Sequence, residues 1–172
     1  GSATNSQTCN TNSCVLTATS LTAFSGATVL ETGGRGVRWT SNGSWSFTVP
    51  SGITGARIHV VGAGGAGSGG GHGSGGGAGG GGGYKNVTLS AGSSYTVTVG
   101  NNGSHGWCQA GGGGSSSFGT LITAGGGGGG KGGQSGCGLY YSATGGSISG
   151  HTVGNTGGGG GANHDTNCGV YH

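Results

Sequence analysis

The sequence predicts an all-β fold that combines a small antiparallel sheet or sandwich with a bundle of polyglycine-II segments and has no α-helix. Glycine makes up 53 of the 172 residues, and each glycine inside a helix costs about 1 kcal/mol relative to alanine. Between the glycine tracts lie short runs in which apolar and polar residues alternate, as expected for half-buried strands. These two observations together exclude a helical domain and favour strands joined by glycine tracts.

Five or six strands are predicted in the first three quarters of the chain. Two flank Asn42-Gly43, a hairpin dipeptide whose residues tolerate positive φ, and Pro50 closes the second of them. A third covers residues 56–62, and two more are expected on either side of Ala91-Gly92. A sixth falls within residues 115–124. Alternating apolar residues along these runs are sufficient for a thin core.

The glycine tracts are predicted to be ordered rather than to be linkers. They cover residues 62–83, 111–114, 125–133 and 157–161 and alternate with the predicted strands. A polyproline-II-like segment makes no internal hydrogen bonds, so its peptide groups pair with neighbouring segments only where no side chains hold the backbones apart. Glycine permits that approach on all sides, which favours a bundle of polyglycine-II segments.

The chain is predicted to have two parts and no nucleic-acid partner. Residues 1–35 are rich in Thr, Ser and Asn and are expected to form an N-terminal arm or attachment segment, and residues 36–172 the glycine-rich domain. The net charge of +3 comes from five scattered basic residues, without the basic stripe that phosphate backbones require. No run of about 20 apolar residues is present, so membrane insertion is not expected.

An enzymatic function is not expected either. The spacing Gly62-x-Gly64-x-x-Gly67 follows a β-branched strand, as in dinucleotide-binding folds, but neither the helix nor the acidic residue that should come next is present. The two acidic residues of the chain, Glu31 and Asp165, lie far apart in sequence and do not form the carboxylate pair of a glycosidase. No catalytic residue and no cofactor are therefore assigned.

Three phrases of the sequence, in order, resemble the glycine-rich domain of bacteriophage tail fibres and tail-tip adhesins. They read "WTSNGSWSFTVPSGITGARIHVVGAGGAGSGGG", "GGGGGYKNVTLSAGSSYTVTVGNNG" and "SSSFGTLITAGGGGGGKGG". The resemblance covers residues 36–133. It implies the polyglycine-II sandwich of T-even-type tip adhesins, whose distal loops recognise the host receptor.

On this resemblance the protein is expected to be a phage receptor-binding tip at the distal end of the tail fibre in the virion. Its partners would be a bacterial outer-membrane protein or surface glycan and either the fibre shaft or further copies of itself, as a homotrimer or a single-copy tip. The alternative is a secreted structural, filament-forming or ice-binding glycine-rich protein. Irregular inserts and large aromatics in the glycine-rich part disfavour an ice-binding face.

If the glycine tracts form a rigid scaffold, the inserts between them, which have side chains, contain the residues that bind a ligand. The inserts span residues 101–110, 134–143, 148–156 and 162–172, and their aromatic residues suit stacking on sugars or packing on protein loops. Trp107 could instead cap the core. The predicted receptor-binding residues are His105, Trp107, Gln109, Leu139, Tyr140, Tyr141, His151, His164, Asp165 and Tyr171.

The five cysteines leave two chemistries open. Disulfides are favoured: a local Cys9–Cys14 bridge and a second disulfide that links two tip loops. Because the number of cysteines is odd, at least one thiol is free or shared with another chain. A metal site is the less favoured alternative, because the His-x-x-Cys and His-x-x-x-Cys pairs are looser than zinc-finger spacings, and none is assigned. The disulfide candidates are Cys9, Cys14, Cys108, Cys137 and Cys168.

Overall fold

A computed structural model describes residues 25–29, 36–69, 74–132 and 143–161. The chain divides into two compact units, residues 1–39 and 40–172. The first contains sheet A, an antiparallel pair of β1 (Ala27–Val29) and β2 (Val37–Trp39). The Trp39 Nε1–H donates to the Ser25 carbonyl at 3.1 Å. Strand β2, predicted as part of the glycine-rich domain, thus pairs within the first unit.

The second unit contains two antiparallel sheets. Sheet B has the order β3-β6-β7-β8-β9 and sheet C the order β10-β5-β4. The all-β fold class is confirmed, since the described residues contain strands and no helix. They accordingly include no helix that could cross a lipid bilayer. The strands are β3 (Gly43–Thr48), β4 (Gly55–Val61), β5 (Gly82–Thr88), β6 (Ser94–Val99), β7 (Ser116–Phe118), β8 (Ile122–Ala124), β9 (Ile148–Ser149) and β10 (Val153–Asn155).

The hairpin predicted at Asn42-Gly43 is wrong, whereas the two strands predicted around Ala91-Gly92 are present but do not pair with each other. The turn at Asn42-Gly43 joins β2 to β3, which lie in different sheets, and the turn at Ala91-Gly92 joins β5 of sheet C to β6 of sheet B. Gly43 and Gly92 do have positive φ, 142° and 81°. Gly92 lies in the turn after β5, Gly43 is the first residue of β3, and both connections carry the chain from one sheet to another.

The strands form a small apolar core. Its centre is an aromatic cluster in sheet B, where the Phe118 ring lies 5.0 Å from Tyr95 and 5.6 Å from Phe47 between ring centroids. Lys85 of β5 donates from Nζ to the Leu121 carbonyl in the β7–β8 turn at 3.0 Å, which ties the two sheets together. The buried apolar residues on and beside the strands are Phe47, Val49, Val60, Leu89, Val97, Phe118, Ile122 and Ala124.

Seven glycine-rich tracts extend from these strands and bond to one another with a period of three residues. Gly62, Gly65 and Ser68 of tract 1 donate their N–H groups to tract 2 at 2.8–2.9 Å, and Ala63 and Ala66 donate to tract 4 at 3.1 Å. Three residues per turn is the repeat of polyproline II. The tracts are residues 62–69 (tract 1), 74–81 (2), 100–104 (3), 110–115 (4), 125–132 (5), 143–147 (6) and 156–161 (7).

The hydrogen bonds arrange the tracts in two layers. Tracts 3, 1, 2 and 7 are bonded in a row, tracts 4, 5 and 6 form a second row, and each tract of the second row bonds to two of the first. Tracts 1, 2 and 5 therefore each have four bonded neighbours. At positions directed at a bonded neighbour there is no room for a side chain, since a Cβ on Gly65 would overlap the Gly128 carbonyl oxygen.

Candidate functional site

The chain order gives the tract bundle two different ends. Tracts 1, 3, 5 and 7 each begin directly after a strand, and tracts 2, 4 and 6 each end directly before one. All strands of the second unit therefore lie at one end, which we call the strand end. The opposite end, the loop end, consists of residues 68–69, 74–75, 105–109 and 131–132 among those described.

The loop between tracts 3 and 4 is tied to its neighbours through the backbone. Gly69 donates its N–H to the Gly106 carbonyl at 3.3 Å, and Gly132 donates to the Cys108 carbonyl at 2.9 Å. A β-bridge pairs Gln109 with Lys131. The loop is thus held between tract 1 on one side and tract 5 on the other.

Two rings of this loop converge over a glycine. A Cβ placed on Gly69 would lie 3.9 Å from His105 Nε2 and 4.0 Å from Trp107 Cε3, so both side chains border the same small space. Trp107 is 70% exposed, the highest fraction among the exposed large hydrophobic residues of the described chain. This exposure answers the question left open by the sequence, because a tryptophan that capped the core would be covered.

The residue before Gly69, Ser68, carries a buried hydroxyl. Ser68 is 4% exposed, and its Oγ has no hydrogen-bond partner, although its backbone bonds to Gly75 in both directions. Buried polar groups are nearly always paired. His105, Trp107 and Gln109 are exposed at the same end of the bundle. Their imidazole, indole and amide groups can stack on or hydrogen-bond to a polar ligand.

Comparison with known proteins identifies the family. The sequence profile of the glycine-rich domain matches residues 40–170, most of the second unit. The chain belongs to the glycine-rich domain family. A comparison with curated proteins found no match. The glycine-rich domain thus accounts for the tract bundle and its strands together.

The loop end of the glycine-rich domain brings together three of the predicted receptor-binding residues, His105, Trp107 and Gln109. His151 is separate from them. It lies in the turn between β9 and β10 at the strand end, because residues 148–155 form two short strands that cross from sheet B to sheet C and are not a tip loop. The predicted residues outside the described part of the chain are Leu139, Tyr140, Tyr141, His164, Asp165 and Tyr171.

Cys108 has a free, half-buried thiol. The disulfide between tip loops suggested by the sequence stays a prediction, because its other candidate cysteines, Cys137 and Cys168, lie outside the described residues. The described part of the glycine-rich domain also contains no group of three or more His, Cys, Asp or Glu side chains that could hold a metal ion. The other disulfide candidates, Cys9, Cys14, Cys137 and Cys168, lie outside the described residues.

Sequence reasoning missed two residues at the loop end, Ser68 and Lys131. Both are single non-glycine residues at the end of a glycine tract, and both take part in β-bridges there, Ser68 with Gly75 and Gly106 and Lys131 with Gln109. The signal was available, because a larger residue is excluded from the tract interior by packing and so marks where a tract meets its loop.

Proposed function

We propose that this glycine-rich domain is the receptor-binding tip of a bacteriophage tail fibre and attaches the virion to a surface protein or glycan of its bacterial host. The observation that carries the proposal is the exposed Trp107 beside His105, on a loop that hydrogen bonds anchor to tracts on both sides. Recognition residues usually lie on loops that a rigid scaffold positions. Exposed aromatic residues are also the most frequent energetic centres of binding surfaces.

The two ends of the bundle suit two different functions, receptor binding and attachment to the fibre. The loop end carries aromatic, imidazole and amide groups, and the chain enters the second unit at the strand end. An adhesin of this kind would attach to the fibre shaft, or to further copies of itself, away from the loop end. The ordered phrases that resemble tail-fibre glycine-rich domains support the same proposal.

The test is saturable binding of the purified full chain to a panel of Gram-negative cells. We expect binding to a few strains and a loss of roughly tenfold or more in Trp107→Ala, because truncating a central aromatic residue typically costs 2 kcal/mol or more. Val153→Ala is the matched control, since Val153 is an exposed apolar residue at the strand end. Replacing residues 134–143 by glycine and serine tests the neighbouring predicted loop.

A folded protein that binds no strain of a broad panel would contradict the proposal. The alternative class, a filament-forming or ice-binding glycine-rich protein, would then be tested by concentration-dependent assembly and by ice recrystallisation. If Trp107→Ala and Val153→Ala lost cell binding equally, the assignment of the binding residues to the loop end would be contradicted. The proposal that the protein attaches to cells would still stand.

A further inference from the structure

Among the described residues, no strand pairs with the outer side of β4 in sheet C. Two hydrogen bonds flank the β4–β5 ladder. Gly62 donates its N–H to the Gly81 carbonyl and Leu89 donates its N–H to the Thr54 carbonyl, and both residue pairs continue the register of β4 with β5. In an antiparallel ladder, hydrogen-bonded pairs alternate with non-hydrogen-bonded pairs. The even-numbered residues of β4 therefore bond to β5, and the odd-numbered residues direct their N–H and C=O groups away from it.

All four odd-numbered residues of this free edge, Gly55, Arg57, His59 and Val61, are exposed. An unpaired edge of this length is a template for another strand. Proteins commonly protect such edges with charged side chains, above all lysine, or with proline or a bulge. Arg57 is the charged residue of β4, which contains no lysine or proline and pairs with β5 without interruption. Val61 is 69% exposed.

Arg57 is held in place on the exposed face next to this edge. Its Nε–H donates to Asn86 Oδ1 at 3.0 Å, and its guanidinium carbon lies 4.8 Å from the centroid of the Tyr84 ring. His59 also contacts this ring, at 5.3 Å between centroids. A guanidinium fixed in this way is pre-organised to bind a carboxylate with two parallel hydrogen bonds.

The described residues provide no carboxylate for Arg57, because they include neither Asp nor Glu. Strand β3, the edge strand of sheet B, has no charged side chain among its outward-directed residues. The outward-directed residues of β3 are Ser44, Ser46 and Thr48, and two of these hydroxyls already bond to β6. The free edge of β4 therefore combines unpaired peptide groups with a fixed positive charge and an uncovered apolar side chain.

We infer that the free edge of β4 binds an extended, acidic segment of a partner protein by strand addition. In an antiparallel arrangement, alternate residues of the added strand lie opposite Val61, His59 and Arg57. The segment that fits has an apolar residue opposite Val61 and a carboxylate four positions later, opposite Arg57. This surface is at the strand end and is independent of the receptor-binding proposal for the loop end.

The first test measures binding of labelled synthetic peptides to the full chain by fluorescence anisotropy. The probe is Thr-Val-Thr-Thr-Thr-Glu-Thr, with two matched peptides, one with Gln for Glu and one N-methylated at alternate residues. We expect saturable binding of the first, binding about two- to fivefold weaker for the Gln peptide because exposed ion pairs contribute modestly, and no binding of the N-methylated peptide. Added salt should remove most of the difference between Glu and Gln.

Variants separate the contributions of backbone and charge. Arg57→Gln should abolish the preference for the Glu peptide while leaving backbone-dependent binding. His59→Pro removes the imidazole and, among backbone groups, only an outward-directed N–H, because the β4–β5 bonds come from even-numbered residues; it should abolish binding. Ser46→Pro is the matched control on the edge of β3, where the N–H is also directed outward, and should bind normally. Thermal unfolding of both proline variants establishes that each is folded.

Three outcomes would overturn the inference. The first is the absence of binding to any peptide, and the second is equal affinity for the Glu and Gln peptides at low salt. The third is self-association of the unmodified chain in sedimentation experiments that His59→Pro abolishes, since the occupant of the edge would then be a second copy of this chain rather than an acidic segment.

Discussion

Gly127→Ala tests whether tract 5 is packed too closely on its neighbours for a side chain at this position. Gly127 lies in tract 5, donates its N–H to the Ala63 carbonyl at 2.9 Å and accepts from Gly113 at 2.8 Å. A Cβ here would overlap the Ala78 carbonyl oxygen and lie 2.6 Å from that of Gly79. The φ of Gly127 is not positive, so alanine is compatible with the backbone and the effect measures packing alone.

The magnitude follows from the bonds between tracts 5 and 2. To accommodate the methyl group these tracts must separate by about 1 Å, which weakens the bonds from Ala78 to Gly128 and from Gly81 to Gly125, each 2.9 Å long. Each bond contributes about 1 kcal/mol net, and a buried group left without a partner costs about 1–3 kcal/mol. We expect a loss of about 3–5 kcal/mol in the free energy of unfolding.

Gly158→Ala is the matched control because a Cβ on Gly158 in tract 7 would meet no atom within 4 Å. There the substitution only restricts the unfolded chain, and we expect it to stabilise the fold by about 0.4–1 kcal/mol. The measurement is thermal unfolding followed by circular dichroism. We expect Tm to fall by roughly 10–20 °C in Gly127→Ala and to rise slightly in Gly158→Ala. Equal Tm values for the two variants would refute close packing of the tracts.

Two further substitutions test the turns and the core. Gly92→Ala forces alanine into φ 81° with no atom within 4 Å of the new methyl group, so we expect a purely conformational loss of about 1 kcal/mol in denaturant unfolding; an unchanged midpoint would contradict the positive φ. Ile122 is 1% exposed, and Ile122→Ala should lower the free energy of unfolding by about 2–5 kcal/mol. A loss below 1 kcal/mol would mean that β8 is not part of the core.

The loop end was only partly accessible to sequence reasoning. His105, Trp107 and Gln109 form one insert between two glycine tracts, so their joint position at a tip follows from local order. His151 has the same local appearance, a polar residue in a glycine-flanked insert, but the pairing of β9 with β8 and of β10 with β5 brings it to the other end. Partner strands so far apart in sequence leave no mark on the insert itself.

The fold class was predictable from the sequence, because the number of glycines excludes helices and the alternation along β4 and β6 requires strands. Packing of the tracts on one another was predictable too, since glycine without a side chain is the residue that lets backbones approach on all sides. Which tract bonds to which, and which strands share a sheet, became known only from the three-dimensional structure. A glycine tract has no side chains to distinguish one neighbour from another, so its partners are set by the strands from which each tract extends.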